Sequence, residues 1–386
     1  MTAIIGWAHS KFGKLEGSDL EGMMATVARD AVEDAGIGFE DVDAIYVGNF
    51  GGFEKQGFTA SFALSADPAL RFKRATRVEN ACATGSAALH MGMNEIATGK
   101  SRFVLVVGAE HMTLAPGTEV GDILLNAAYR KEEGETPGGF AGIFGRIAQL
   151  YFQRYGDNSE AMARIAAKNH RNGVENPYAQ LRKDLGFEFC NTVSDKNPYV
   201  AGPIRRTDCS LVSDGAAAVV LTDTDTALRR PKAINIRAAS HAQDYLPMSK
   251  RDIVAFEGCE KAWERAHEMA GTTLDDLSLV ETHDCFTIAE LIEYEAMGLT
   301  PKGEGARAIA EGWTEKDGKL PVNPSGGLKS KGHPIGATGV SMHIMASLQL
   351  MGEAGGMQID GAKLAGVFNM GGAAVANYVS ILERLR

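Results

Sequence analysis

The sequence has no apolar run long enough to cross a bilayer, and its opening Met1-Thr2-Ala3-Ile4-Ile5-Gly6 enters a strand rather than a secretory leader. No peroxisomal address is read in the closing Glu383-Arg384-Leu385-Arg386. Positive charge is in deficit: 39 Lys and Arg against 49 Asp and Glu leave −10, which argues against nucleic acid as a general partner and gives no reason to expect a membrane one. There is no CxxC pair. The five cysteines (Cys82, Cys190, Cys209, Cys259, Cys285) are odd in number and scattered, so neither a metal site nor a disulfide framework is expected. Reduced thiols of a cytoplasmic protein fit better. What remains is a soluble globular composition, 45% hydrophobic and 23% charged over 386 residues, long enough for two or three packed units. The 45 glycines cluster, as in Gly326-Gly327 and Gly371-Gly372, and clustering points to tight turns and close backbone approach.

One stretch organises the rest: Val78-Glu79-Asn80-Ala81-Cys82-Ala83-Thr84-Gly85-Ser86. From Ala83 the chain reads as a helix start, with Thr84 and Ser86 as capping residues and Ala87, Ala88, Leu89, Met91, Met93 and Ile96 as an apolar face. A thiol at a helix N-terminus is expected to have a lowered pKa. The small neighbours Ala81, Ala83 and Gly85 leave room for a carbonyl to reach it. A buried, inert cysteine is the competing reading.

The chain also repeats. A capping box at Ser18-Asp19-Leu20-Glu21 predicts a helix that stops at Gly36, followed by Asp41 to Val47 feeding a strand. Downstream, Cys259 to Ala270 reads as a helix that stops at Gly271, and Asp276 to Val280 again feeds a strand. Ala83-Thr84-Gly85 after Cys82 is echoed by Ala337-Thr338-Gly339 after His333. Two similar α/β units follow from this. Between them lies Met112 to Cys209, locally basic through Arg146, Arg154, Arg164, Lys168, Arg171, Arg182, Lys183, Arg205 and Arg206. That run is either a solvated face or a pad for an anionic ligand such as a coenzyme A phosphate. Asp214 to Leu221 then reads as a buried strand finishing the first unit.

Three further segments carry chemistry. His283-Asp284-Cys285-Phe286 follows a strand end, where alternation puts His283 and Cys285 on one side and Asp284 on the other. Gly332 and Pro334 hold His333 in one direction, suited to a base that takes a proton from a cysteine. Gly371, after the last buried strand, can offer its N–H to an oxyanion. Each also has a plain structural reading as a core histidine, a core cysteine or an ordinary turn.

Together these motifs resemble the thiolase superfamily, most closely the sterol carrier protein-type thiolases. The match lies in Asn-x-Cys-Ala-Thr-Gly-Ser, His-Asp-Cys-Phe, Gly-His-Pro-x-Gly-Ala-Thr-Gly and a final Asn-x-Gly, with Lys168-Asn169-His170, Asn176 to Gln180 and Asn323-Pro324-Ser325-Gly326-Gly327 between them. The chain departs from many relatives in having His283 to Phe286 for Asn-Glu-Ala-Phe, and Asn369 for a second cysteine. The resemblance implies an α/β thiolase fold of two duplicated βαβαβαββ domains in five α-β-α-β-α layers. Residues 1–111 with 210–232 would form the first domain, 112–209 an inserted loop domain, and 233–386 the second. It implies acyl transfer on 3-ketoacyl-coenzyme A substrates in lipid metabolism. Cys82 would be the nucleophile and His333 its base; His333 and His283 would be donors to the enolate oxygen, Cys285 the acid and base at carbon, and Cys82 and Gly371 the amide donors. Coenzyme A would be a cosubstrate, with no resident cofactor or metal, in a homodimer or homotetramer. No lipid-transfer domain is expected after the last strand. Two rivals stand beside this: a non-catalytic acyl-coenzyme A-binding subunit, and a carbon–carbon lyase or synthase working with a small zinc-ribbon, acyl-coenzyme A-binding partner protein.

Overall fold

A computed structural model describes residues 1–386, the side chain of Thr118 excepted. The first half runs β1 (Thr2–His9), α1 (Leu20–Asp34), β2 (Ala44–Gly48), β3 (Arg74–Val78), α2 (Thr84–Ala97) and β4 (Phe103–His111). An insertion follows, with α3 (Gly139–Tyr155), α4 (Ser159–Gly173), several shorter helices and the ribbon β5 (Tyr199–Ala201) and β6 (Ile204–Arg205). Then comes β7 (Asp214–Asp223). The second half runs β8 (Ile234–Gln243), α5 (Glu257–Ala270), β9 (Leu279–Glu281), α6 (Thr287–Ala296), α7 (Gly327–Lys331), α8 (Ile335–Met351), β10 (Leu364–Gly371) and β11 (Ala376–Arg384).

The sheet shows the duplication directly. Its order is β3-β2-β4-β7-β1-β8-β11-β10-β9. In the first half β2 is parallel to β3 and β4, and β7 is antiparallel to β4 and β1. In the second, β9 is parallel to β10 and, through Val280, to a bridge at Val322; β11 is antiparallel to β10 and β8. The two halves are one strand plan read from opposite edges. They join where β1 pairs antiparallel with β8 over Thr2–Ile4 and Ile234–Ile236.

The local signals repeat with it. Asp19 caps α1 by accepting from the Gly22 N–H, so the cap is Asp19 and not Ser18. Gly36 and Gly271 end α1 and α5 at the same left-handed φ of 63°, a value glycine adopts without steric cost. A 3-10 turn follows each, Phe39–Asp41 and Leu274–Asp276, before β2 and β9.

α1 packs outside β1, β4 and β7, and α5 outside β8 and β11, while α2 and α8 pack on each other between the half-sheets. That gives the five α-β-α-β-α layers. β4 and β7 are covered on both faces, which is why they read as unbroken apolar runs. α8 is buried almost all round and lacks a polar face. α2 and α8 cross backbone to backbone: a Cβ on Gly339 would lie 2.3 Å from the Ser86 nitrogen, and one on Gly85 2.8 Å from the Gly339 nitrogen. The repeated Ala-Thr-Gly therefore marks a helix crossing. Two details differ from expectation. Neither Thr84 nor Ser86 caps α2, whose first turn follows Ala83 without a side-chain cap, and Met91 is 42% exposed because its position faces away from the sheet. No described helix is long and apolar enough to cross a membrane.

Candidate active site

β3 ends at Val78, and the chain turns sharply before α2. Ala81 takes a left-handed φ of 49°, a strained value for a residue with a Cβ. The turn is fastened at several points. The Asn80 N–H donates to Thr84 Oγ1 (2.8 Å), the Ala83 N–H to the Asn80 carbonyl (3.1 Å), and Asn80 Nδ2 to the Tyr378 hydroxyl (2.9 Å). This sets Cys82 at the foot of α2, only 3% exposed. Burial pushes the Cys82 thiol up to about 12, although the amide N–H groups of Gly372 and of Cys82 itself oppose the rise. The expectation of a lowered pKa is thus corrected. Loss of water outweighs the helix dipole because Cys82 sits before the first turn, in a closed site.

Two histidines face this thiol. One ring nitrogen of each of His283 and His333 and the Cys82 sulfur lie within 4.8 Å of one another. The rings stand edge to face, 5.1 Å apart and at 81°. Burial lowers the His333 pKa to about 3 and that of His283 well below its ordinary value, so both are neutral.

Their tautomers follow from their partners. The Thr338 hydroxyl donates to the Pro334 carbonyl (3.0 Å), so toward His333 Nδ1, 2.7 Å away, it accepts. His333 therefore carries its proton on Nδ1 and presents a lone pair at Nε2. Asn369 Nδ2 lies 3.1 Å from the Cys82 carbonyl, which can only accept. That fixes the amide orientation, and the same nitrogen donates to His283 Nδ1 at 3.0 Å. His283 must then hold its proton on Nε2. Neither Nε2 has a protein partner among the described residues. One ring is set as a base and the other as a donor. A sulfur and two imidazoles are also a donor set that zinc accepts, but binding would require His283 to surrender the Nε2 proton that Asn369 imposes.

Cys285 lines the same cavity as Cys82 and His333, and burial raises its thiol well above the usual range. Asp284 turns away. It accepts from the Leu328 and Lys329 N–H groups at the start of α7 (2.6 and 3.1 Å) and from Asn169 Nδ2 on α4 (2.8 Å). One carboxylate thus ties the insertion to both histidine segments. Gly371 ends β10, where a Cβ would lie 2.4 Å from the Asn80 carbonyl. The next residue, Gly372, is the one whose amide joins that of Cys82 in opposing the rise of the thiol pKa.

The basic run of the insertion is mostly committed elsewhere. Arg154 pairs with Asp252, Arg164 with Glu160, Lys168 with Glu290, Arg171 with Glu315 and Arg205 with Asp208. Lys168 and Glu290 are wholly buried. These five form ion pairs, not an open anion pad.

Two residues at the site carry no clear mark in the sequence pattern. Thr338 reads only as part of a helix start, although it lies in the first turn after His333. Glu110 is an acid at the end of the apolar β4. It accepts from Asn49 Nδ2 (2.8 Å), the Phe50 and Gly51 N–H groups (both 2.9 Å) and the Gly336 N–H at the start of α8 (3.0 Å). A lone carboxylate closing an apolar strand was the available signal.

Residues 2–187 match the family model "Thiolase, N-terminal domain", and 239–384 match "Thiolase C-terminal domain-like". The chain is similar to an acetyl-CoA acetyltransferase of Methanothermobacter thermautotrophicus, 37% identical over 388 residues and 99% of each chain. It is similar to sterol carrier protein 2 of Bos taurus, 32% identical over 96% of this chain and 70% of that protein. Its fold matches a solved chain described as "Ltp2-ChsH2(DUF35) aldolase", with a TM-score of 0.83 at 21% identity, covering 100% of this chain and 98% of that one. Matched by thiolase models over both halves and by relatives along its whole length, the chain belongs to the thiolase family.

Proposed function

We propose that the protein is a thiolase, an acyltransferase that cleaves a 3-ketoacyl-coenzyme A with coenzyme A, or runs the reverse condensation. The observation that carries this is the clustering of one thiol and two imidazoles within 4.8 Å, with Thr338 and Asn369 at the two Nδ1 atoms assigning opposite tautomers. His333 Nε2 takes the Cys82 proton as the sulfur attacks the keto carbon. The bond between the α-carbon and that carbon breaks, leaving an acyl group on Cys82 and the enolate of acetyl-coenzyme A. The enolate oxygen receives hydrogen bonds from His283 Nε2–H and from the newly protonated His333. Cys285 gives its proton to the enolate carbon, producing acetyl-coenzyme A. A free coenzyme A thiol then gives its proton to the Cys285 thiolate and attacks the thioester; the Cys82 and Gly371 N–H groups hold the oxyanion, and Cys82 leaves as a thiolate and takes back its proton from His333. Coenzyme A enters as cosubstrate and acyl-coenzyme A leaves as product. The relatives' names and the family membership support this reading.

The test is Cys82→Ala. The wild type should gain the mass of an acyl group on Cys82 after exposure to acyl-coenzyme A and should cleave 3-ketoacyl-coenzyme A. The variant should fold and do neither. Full turnover by folded Cys82→Ala protein would end the proposal.

A homodimer or homotetramer is proposed from the same family membership. The neighbour whose name includes DUF35 supports a second reading, a carbon–carbon lyase or synthase that needs a small partner protein. Weak activity alone with strong activity beside a co-purifying small protein would favour it.

A further inference from the structure

The cavity at Cys82 is larger and drier than the transfer of an acetyl group requires. It encloses about 270 Å³. Cys82, Cys285 and His333 open onto it, and Cys209 and Ser210 are its other polar side chains. Much of its lining is apolar, with Met112, Val120, Leu124, Phe140 and Leu211 all supplied by the insertion and its borders. Phe286, which follows Cys285 directly, forms part of the apolar wall and stacks on Phe144 with centroids 4.4 Å apart. The chemistry and the apolar wall therefore share one rigid segment. The two amides of a pantetheine arm would find few partners along this apolar lining, whereas a hydrocarbon would lose nothing by entering.

We propose that this space selects a transferred acyl group of about six to ten apolar carbons, since a dry cavity of about 150 Å³ already accepts benzene. The proposal rests on the thiolase reading and names its substrate class. An acetyl group would leave most of the apolar lining without contact, and each added methylene that reaches it should raise kcat/KM about fourfold.

The experiment measures thiolysis of straight-chain 3-ketoacyl-coenzyme A thioesters of four to eighteen carbons, whose transferred acyl groups are two carbons shorter. The expected result is a kcat/KM that climbs from acetoacetyl-coenzyme A to transferred groups of six to ten carbons and falls beyond them. Ala141 also lines the cavity, from α3. Ala141→Phe should lower the ratio of eight-carbon to acetyl transfer at least tenfold, and Leu124→Ala should move the optimum to longer chains. Acetyl transfer as efficient as any longer transfer would overturn the proposal while leaving the thiolase reading intact. Unchanged chain preference in both variants would also overturn it. Cleavage of no member of the series would overturn the thiolase reading, and this proposal with it.

Discussion

Replacing Thr338 with valine tests whether His333 is a base by virtue of its tautomer. Valine keeps the shape of threonine and removes the oxygen that sits 2.7 Å from His333 Nδ1. The Nδ1–H then becomes a buried donor without an acceptor, at a cost of about 1–3 kcal/mol. The ring can avoid that cost by moving its proton to Nε2, which places an N–H, not a lone pair, toward Cys82. A bias of that size changes the tautomer ratio roughly 5- to 150-fold, so single-turnover acylation of Cys82 should slow about ten- to a hundredfold. Side damage is limited. The Pro334 carbonyl still accepts from the Ala337 and Thr338 N–H groups, each at 3.0 Å. Rapid quenching followed by intact-mass measurement of acylated protein reads the rate, and Thr338→Ser should restore it. Unchanged acylation in folded Thr338→Val protein, or an equal loss in Thr338→Ser, would refute the assignment.

Cys285→Ser should still allow Cys82 to be acylated but should slow deuterium exchange at the α-carbon of acetyl-coenzyme A about a hundredfold, the usual scale for losing a general acid and base; exchange at the wild-type rate would assign the proton to another group. Gly339→Ala should destabilise by about 3 kcal/mol or more in urea, because its Cβ meets backbone atoms of α2 that cannot swing aside. An unchanged midpoint would mean that the two helices do not touch there. Glu110 has its pKa raised to about 7 by burial, so its contribution is fully present below about pH 4.5 and is lost as pH rises through 7. The stability of wild type relative to Glu110→Gln should therefore fall by about 2–3 kcal/mol between pH 5 and pH 8, and a pH-independent difference would show the carboxyl to be ionised throughout.

The fold was legible because its signals are local and occur twice. The glycine stops at Gly36 and Gly271 and the strand starts after them need only neighbouring residues to be read. The segments around Cys82 and His333 were legible for a similar reason, since small residues or restricted backbone flank each one, and His283 and Cys285 stood out by following a strand end. What the sequence hid is set by distant parts of the chain. The thiol pKa depends on how much protein covers Cys82, and a dipole argument along one helix contains no such term. Part of the basic run is paired with remote partners that a local reading cannot see: Lys168 meets Glu290, and Arg171 meets Glu315. The tautomers were hidden too. In the sequence Asn369 shows only as the replacement of a second cysteine, whereas in the fold its amide orients His283.

The electrostatics of the resting site bear on how the nucleophile is made. In many cysteine enzymes a positive environment keeps the thiolate ready beforehand. Here burial dominates at all four groups: it raises the thiols of Cys82 and Cys285 and lowers the imidazoles of His283 and His333. Moving a proton from Cys82 to His333 before substrate arrives would create two charges in a dry cavity, and neither would be solvated. The same transfer made during attack on a carbonyl passes the negative charge on to oxygen, where amide N–H groups can receive it. Burial thus links activation of the thiol to the presence of a ketone in the site. The cavity wall beside these groups is apolar, with Met112, Phe140 and Phe286 lining it. The wall that admits a hydrocarbon chain is then also what keeps Cys82 protonated until that chain arrives.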